Sequence, residues 1–169
     1  MAKIPEVGFE APDFTLPSLT IVDGTPVRGT ATLSQARGNP VVLAFYPGDE
    51  TTVCTRQLTS YTSDLDVFTK VNATIWGISP QDIDSHENFA LNHQLGMPLL
   101  ADTERAVIEA YGIGAPGIGL RRSIFVVDPN GLVTWKHVGV VGATFPKAAT
   151  IAAAIGGKRS FFSRLRRAA

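Results

Sequence analysis

Cysteine is almost missing from this chain: Cys54 is the only one among 169 residues. No disulfide can close within such a chain, so the fold cannot depend on oxidation. The usage suits a reducing compartment, and a cytoplasmic location is the expectation. Dithiol exchange of the Cys-x-x-Cys kind is excluded as well, because Thr51 stands where the first thiol would be. An excess of one charge is also missing. Fifteen basic residues balance 15 acidic ones for a formal net charge of zero, which argues against nucleic acid as a partner. Long apolar runs are absent: none approaches the roughly 20 residues of a membrane span. Residues 1–8 hold no apolar h-region, so no signal peptide is expected. The histidines His86, His93 and His137 have neither metal-ligand spacing nor a cysteine partner. No metal is expected, and the three read as surface or half-buried side chains. No cofactor is expected either. Gly112-x-Gly114-x-x-Gly117 has the spacing of a dinucleotide fingerprint, but it follows a helical pattern and Pro116 interrupts it. It reads as a flexible loop.

What is present is enough apolar material, 44% of residues against 18% charged, for one domain to close a core without staples. Residues 9–16 read as an extended entry segment, and residues 22–33, with Asp23-Gly24, as a hairpin-like excursion. Residues 41–46 form a short continuous apolar run, as expected of a strand buried on both faces. Apolar residues at Leu58, Tyr61, Leu65 and Phe68 recur at spacings of three and four, which predicts one helix over residues 53–68. Residues 73–79 read as a second central strand, with Ser85 as N-cap of a helix ending near His93. A brief strand at Leu99-Leu100, a helix over residues 105–111 and a strand over residues 122–127 follow. Asp128-Pro129-Asn130-Gly131 turns that strand into an antiparallel return, and an alanine-rich helix over residues 145–155 closes the order. This pattern predicts an α/β fold, a mixed central sheet with helices on both faces. One domain is expected over residues 1–157, bounded by Gly156-Gly157. Residues 158–169, with Lys158, Arg159, Arg164, Arg166 and Arg167, read as a flexible basic tail. Contact with an anionic surface or a partner is the alternative for that tail.

A lone cysteine is most often a small inert hydrophobe. The flanks of Cys54 argue otherwise: Asp49, Glu50, Thr51, Thr52, Thr55, Arg56 and Gln57 are all polar, which does not suit a cysteine lost in an apolar core. Strand, Pro/Gly/Asp turn and helix follow one another here, placing Cys54 near a helix N-terminus. There the unpaired N–H groups and the helix dipole favour a thiolate.

Pro47-x-x-x-Thr51-x-x-Cys54, after a strand ending Phe45-Tyr46, resembles the active-site motif of the peroxiredoxins. Ala11-Pro12-Asp13-Phe14 resembles the entry segment of that family, and residues 122–131 resemble the strand and turn that carry its arginine. The resemblance covers residues 4–155 and is closest to the bacterioferritin comigratory protein, or Q-type, branch. It implies a thioredoxin-like fold and a thiol-dependent peroxidase acting on hydrogen peroxide and organic hydroperoxides through a Cys54 sulfenic acid. A non-enzymatic peroxide sensor or partner-binding protein on the same fold is the competing class.

By the same resemblance Arg122 and Thr51 donate to the peroxide, the amides of Val53 and Cys54 complete the cradle, Pro47 shields the sulfur, and Gln57 orients Arg122. Arg122 is chosen over Arg121 by counting back from Asp128. Many members of this branch carry a resolving cysteine five residues after the first, where this chain has Thr59; Thr52 and Val53 stand where Pro and Gly are common. The reductant must then be external: a low-molecular-weight thiol, or a thioredoxin- or glutaredoxin-like protein. Members often dimerise, so a homodimer is an open expectation. An ordinary thiol is about 3% ionised at pH 7, so ionisation alone gains at most about 30-fold, near 2 kcal/mol. Peroxiredoxins react far faster than that gain allows, which places the larger effect in donors aimed at the breaking O–O bond.

Overall fold

The computed structural model describes residues 2–140 and 142–167, with side chains as far as residue 157. Strand β1 (Thr15–Val22) and strand β2 (Thr25–Thr32) pair antiparallel from Thr15↔Thr32 to Val22↔Thr25. Their two-residue loop, Asp23-Gly24, has φ of 49° and 77°, the left-handed pair that an Asp-Gly hairpin turn requires. The excursion expected at residues 22–33 is thus the second half of a longer hairpin, and β1 begins inside the expected entry segment.

The chain continues through β3 (Val41–Phe45), α1 (Thr52–Ser63), α2 (Leu65–Thr69), β4 (Thr74–Ser79), α3 (Ile83–His93), β5 (Leu99–Ala101) and α4 (Ala106–Ala110). It ends with β6 (Gly114–Ala115), β7 (Gly119–Leu120), β8 (Ser123–Val127), β9 (Val133–Val138) and α5 (Ala148–Arg167). The main sheet has the order β2-β1-β5-β4-β3-β8-β9. Its β3–β4 and β4–β5 pairs are parallel and its other pairs antiparallel. Every residue of β3 is buried, and its side chains divide by parity. Val42 and Ala44 join Leu58, Tyr61, Phe68, Phe89 and Ile151 on the face covered by α1, α2, α3 and α5. Val41, Leu43 and Phe45 join Val107, Ile108 and Tyr111 on the face covered by α4. The expected mixed sheet with helices on both faces is the observed architecture.

Local departures have local causes. The single helix expected over residues 53–68 breaks at Asp64 (φ −106°, ψ 21°). The Asp64 amide is shared between the Ser60 and Tyr61 carbonyls, at 3.1 and 3.2 Å, a tightening common at helix ends. Helix α3 begins earlier than expected because Asp82, not Ser85, is the N-cap; Asp82 Oδ1 accepts from the Ser85 amide at 2.8 Å. The glycine loop is partly ordered as a small hairpin, with Gly114↔Leu120 and Ala115↔Gly119 paired. Helix α5 runs unbroken through Gly156-Gly157, and the side chains of the basic segment 158–169 lie outside the described residues. No helix of the described residues is long and apolar enough to cross a membrane.

Gly77 marks the tightest point beside the site. A Cβ there would lie 2.8 Å from Leu99 Cδ2 and 3.3 Å from Tyr46 Cε1. Gly77→Ala should therefore cost about 1–3 kcal/mol by overpacking. Thermal melting reads this as a drop of roughly 2–12 °C. An unchanged melting temperature would show that Leu99 and Tyr46 give way freely.

Candidate active site

The loop after β3 turns the chain into α1. Thr51 is extended (φ −75°, ψ 147°) and forms the N-cap of α1, and the Thr55 amide makes the first helical bond, to the Thr51 carbonyl at 2.9 Å. The amides of Thr52, Val53 and Cys54 precede that bond and have no acceptor within the helix. They give this end its partial positive charge. Thr51 does not cap with its side chain; its Oγ1 donates to the Gly48 carbonyl at 3.0 Å. A hydroxyl has one proton, so Thr51 must rotate away from Gly48 before it can donate to a substrate oxygen.

Cys54 is 1% exposed and belongs to the apolar cluster of Tyr46, Leu58 and Tyr61. The expectation drawn from its polar flanks is therefore corrected. Glu50, Thr51, Thr52 and Arg56 are exposed while the sulfur faces inward, because neighbours on a helix point in different directions. Burial does not make this thiol inert, since a buried guanidinium meets it. Arg122 is 4% exposed, whereas Arg121 is exposed. The antiparallel register of β3 with β8 pairs Phe45 with Ser123, bringing Arg122 beside the start of the cysteine loop.

All three guanidinium nitrogens of Arg122 donate. Nη2 reaches Cys54 Sγ at 3.3 Å, Nε reaches the Gly142 carbonyl at 3.0 Å, and Nη1 bonds Gln57 Oε1. Gln57 is fully buried, as a residue one helical turn beyond Cys54 can be. Its Nε2 donates to the Tyr61 hydroxyl at 3.4 Å, and that hydroxyl donates to the Pro146 carbonyl at 2.7 Å. Burial pushes the Tyr61 hydroxyl up to about 12, so it remains a donor. Residues on either side of position 141 add to this row. The Gly139 amide donates to the Arg122 carbonyl at 2.9 Å, and Arg56 Nη2 donates to the Ala143 carbonyl at 3.2 Å.

Pro47 and Val53 are half-buried. The Pro47 carbonyl accepts from Gln81 Nε2 at 3.2 Å, while Gln81 Oε1 accepts from the Asp49 amide at 3.1 Å and from Ser79 Oγ at 2.6 Å. Gln81 thus ties both sides of the turn to the end of β4. Sequence reasoning missed Gln81. It also misplaced His86, which is fully buried and lies 2.7 Å from Asp49 Oδ2. The available signal was position: both residues follow a strand that pairs in parallel with the strand leading to Cys54. No group of three or more His, Cys, Asp or Glu able to hold a metal occurs among the described residues. The arrangement offers a sulfur nucleophile, a fixed positive fork against it, and unpaired amides at the same helix end. Such a site can receive an oxygen that gains negative charge as a bond to it breaks.

A sequence profile of the AhpC/TSA family matches residues 7–136. The chain is 36% identical over 143 residues to peroxiredoxin Q, chloroplastic, of Oryza sativa subsp. japonica, covering 78% of this chain and 63% of that protein. It therefore spans less than two thirds of the rice protein. It is 31% identical over 146 residues to the putative peroxiredoxin bcp of Coxiella burnetii, covering 81% of this chain and 92% of that one. Among solved structures it resembles Xanthomonas campestris peroxiredoxin Q, at 30% identity and TM-score 0.70, over 84% of this chain and 90% of that one. Mycobacterium tuberculosis AhpC superposes with TM-score 0.83 over 93% and 94% of the two chains, and at 22% identity this likeness concerns the fold, the thioredoxin-like one expected.

Proposed function

The chain belongs to the AhpC/TSA family and, within it, to the peroxiredoxins of the Q and bcp kind; on that premise we propose that it is a thiol-dependent peroxidase using one cysteine. Its substrates are hydrogen peroxide and organic hydroperoxides. The observation that carries this reading is the Arg122 Nη2–Cys54 Sγ contact of 3.3 Å at the end of α1.

The Cys54 thiolate attacks one peroxide oxygen, an S–O bond forms and the O–O bond breaks. Sulfur is oxidised to the sulfenic acid, and the departing oxygen takes a proton and leaves as water or an alcohol. Negative charge moves from sulfur to the leaving oxygen during this step. Arg122 can hold both ends of that charge through a fork fixed by Gln57 and Gly142. The amides of Val53 and Cys54 serve the incoming oxygen, Thr51 joins them by turning from Gly48, and Pro47 limits water at the sulfur.

The oxidised centre cannot reset itself. Thr59, standing where many relatives of this branch carry a second thiol, donates its hydroxyl to the Thr55 carbonyl at 2.7 Å. One external thiol condenses with the sulfenic acid, forming a mixed disulfide and water, and a second releases Cys54 with a disulfide as product. A low-molecular-weight thiol or a thioredoxin- or glutaredoxin-like protein supplies those two electrons, in a reducing compartment such as the cytoplasm. Peroxide in excess, with such thiols added singly, tests this. Steady consumption is expected. Consumption that stops at one equivalent per chain would favour a sensor on the same fold instead.

A further inference from the structure

His86 takes no part in the chemistry above, yet it is a fully buried titratable side chain. Its Nε2 lies 3.1 Å from the Leu100 carbonyl in β5. A carbonyl only accepts, so Nε2 carries a proton. Its Nδ1 lies 2.7 Å from Asp49 Oδ2, and the same oxygen accepts from Ser85 Oγ at 2.7 Å. The Tyr46 hydroxyl donates to Asp49 Oδ1 at 2.7 Å. His86 thus bridges two parts of the fold: Nε2 is bonded to the rigid sheet and Nδ1 to the cysteine loop. The next residue in the loop is held by the same helix. Glu50, at a left-handed φ of 59°, bonds Asn92 Nδ2 at 2.9 Å and His93 Nε2 at 2.7 Å.

We propose that His86 is a positioning residue for the peroxide reaction, fixing the loop of Pro47 and Thr51 through Asp49. The inference rests on the reading of Cys54 as the peroxide's target. Helix α3 then acts as a clamp, with two successive loop acids, Asp49 and Glu50, as its handles. A turn containing a left-handed non-glycine residue does not keep its shape by backbone preference alone, and small displacements of reacting groups carry large rate penalties.

Two substitutions separate the bonds of His86. His86→Asn keeps a donor near the Nδ1 position and loses the bond to Leu100. His86→Gln keeps a donor near the Nε2 position and loses the bond to Asp49. Each loses one buried hydrogen bond, and the melting temperature reports the structural part of that loss apart from the rate. The readout is the rate of Cys54 sulfenic acid formation with hydrogen peroxide in a single turnover without reductant, followed by mass spectrometry and set beside the melting temperature. Both variants are expected to melt lower, with H86Q reacting about tenfold or more slowly than H86N. Equal rates in the two folded variants would overturn the clamp.

If neither folds, Asp49→Ala serves, because it removes the carboxylate through which His86 holds the loop. A slowing of about threefold or more supports the clamp, and a wild-type rate overturns it. Wild-type protein that forms no sulfenic acid at Cys54 would overturn the peroxidase reading, and the clamp with it.

Discussion

Cys54→Ser consumes no peroxide at any concentration of added thiol; that is the largest effect expected of a single substitution here. The hydroxyl oxygen cannot take the place of sulfur as the group oxidised, and the chain has no second thiol to substitute for it. The change is nearly isosteric, and the serine oxygen can accept from Arg122 Nη2, which now donates to Sγ at 3.3 Å. A buried hydroxyl with a partner shifts stability by about 1 kcal/mol, so the variant should melt close to wild type. Activity and folding are thereby separated in one experiment. Turnover retained by a folded Cys54→Ser protein would sink the assignment of the nucleophile.

Arg122→Ala comes second, with an expected loss of about 100- to 1,000-fold in the second-order rate constant for peroxide. Loss of thiolate alone accounts for no more than about 30-fold at neutral pH. The remainder belongs to donors meeting the oxygens as the O–O bond lengthens. The two contributions part at alkaline pH, near 10, where a thiol with the ordinary pKa of about 8.5 is mostly ionised. A deficit of about tenfold or more should persist there. Equal rates for variant and wild type at that pH would reduce Arg122 to a charge that favours the thiolate. The Gln57 and Gly142 oxygens also lose their donor in the variant, at about 1–3 kcal/mol of stability each. Arg122→Lys is the companion measurement, since it keeps the charge and loses the fork. An intermediate rate is expected of it.

The grouping of Cys54, Thr51, Pro47, Gln57 and Arg122 was legible in the sequence for two reasons. The first four share one short strand–turn–helix, where order in the chain is order in space. Arg122 was found by counting along a strand whose turn, Asp128-Pro129-Asn130-Gly131, is unmistakable. The structure brings Cys54, Gln57 and Arg122 into one bonded row, with Thr51 and Pro47 at its loop end.

What stayed hidden were long-range partnerships. His86 read as a surface or half-buried side chain because its partners are distant in sequence: Asp49, 37 residues back, and the Leu100 carbonyl. Whether a polar side chain can be buried depends on such partners, and periodicity does not report them. The break at Asp64 was hidden for a different reason. The apolar spacing continues from Tyr61 through Leu65 to Phe68, so the pattern looks like one helix while the backbone makes two. Ser85 and Asp82 are both good capping residues, and only the geometry of the turn distinguishes them.

The register of β8 against β3, Phe45 opposite Ser123, makes the two ends of the sheet unequal as targets for change. At the far end, the turn at residues 128–131 carries none of the chemistry, and an extra residue there leaves the pairing nearer Arg122 intact. One residue inserted between Arg122 and Ser123 keeps every functional group in the chain. Yet side chains alternate faces along a strand, so such an insertion exchanges the arginine's inward place for that of its exposed neighbour. Scanning the domain by insertion would find a permissive edge and, five strand residues away, one with no graded tolerance.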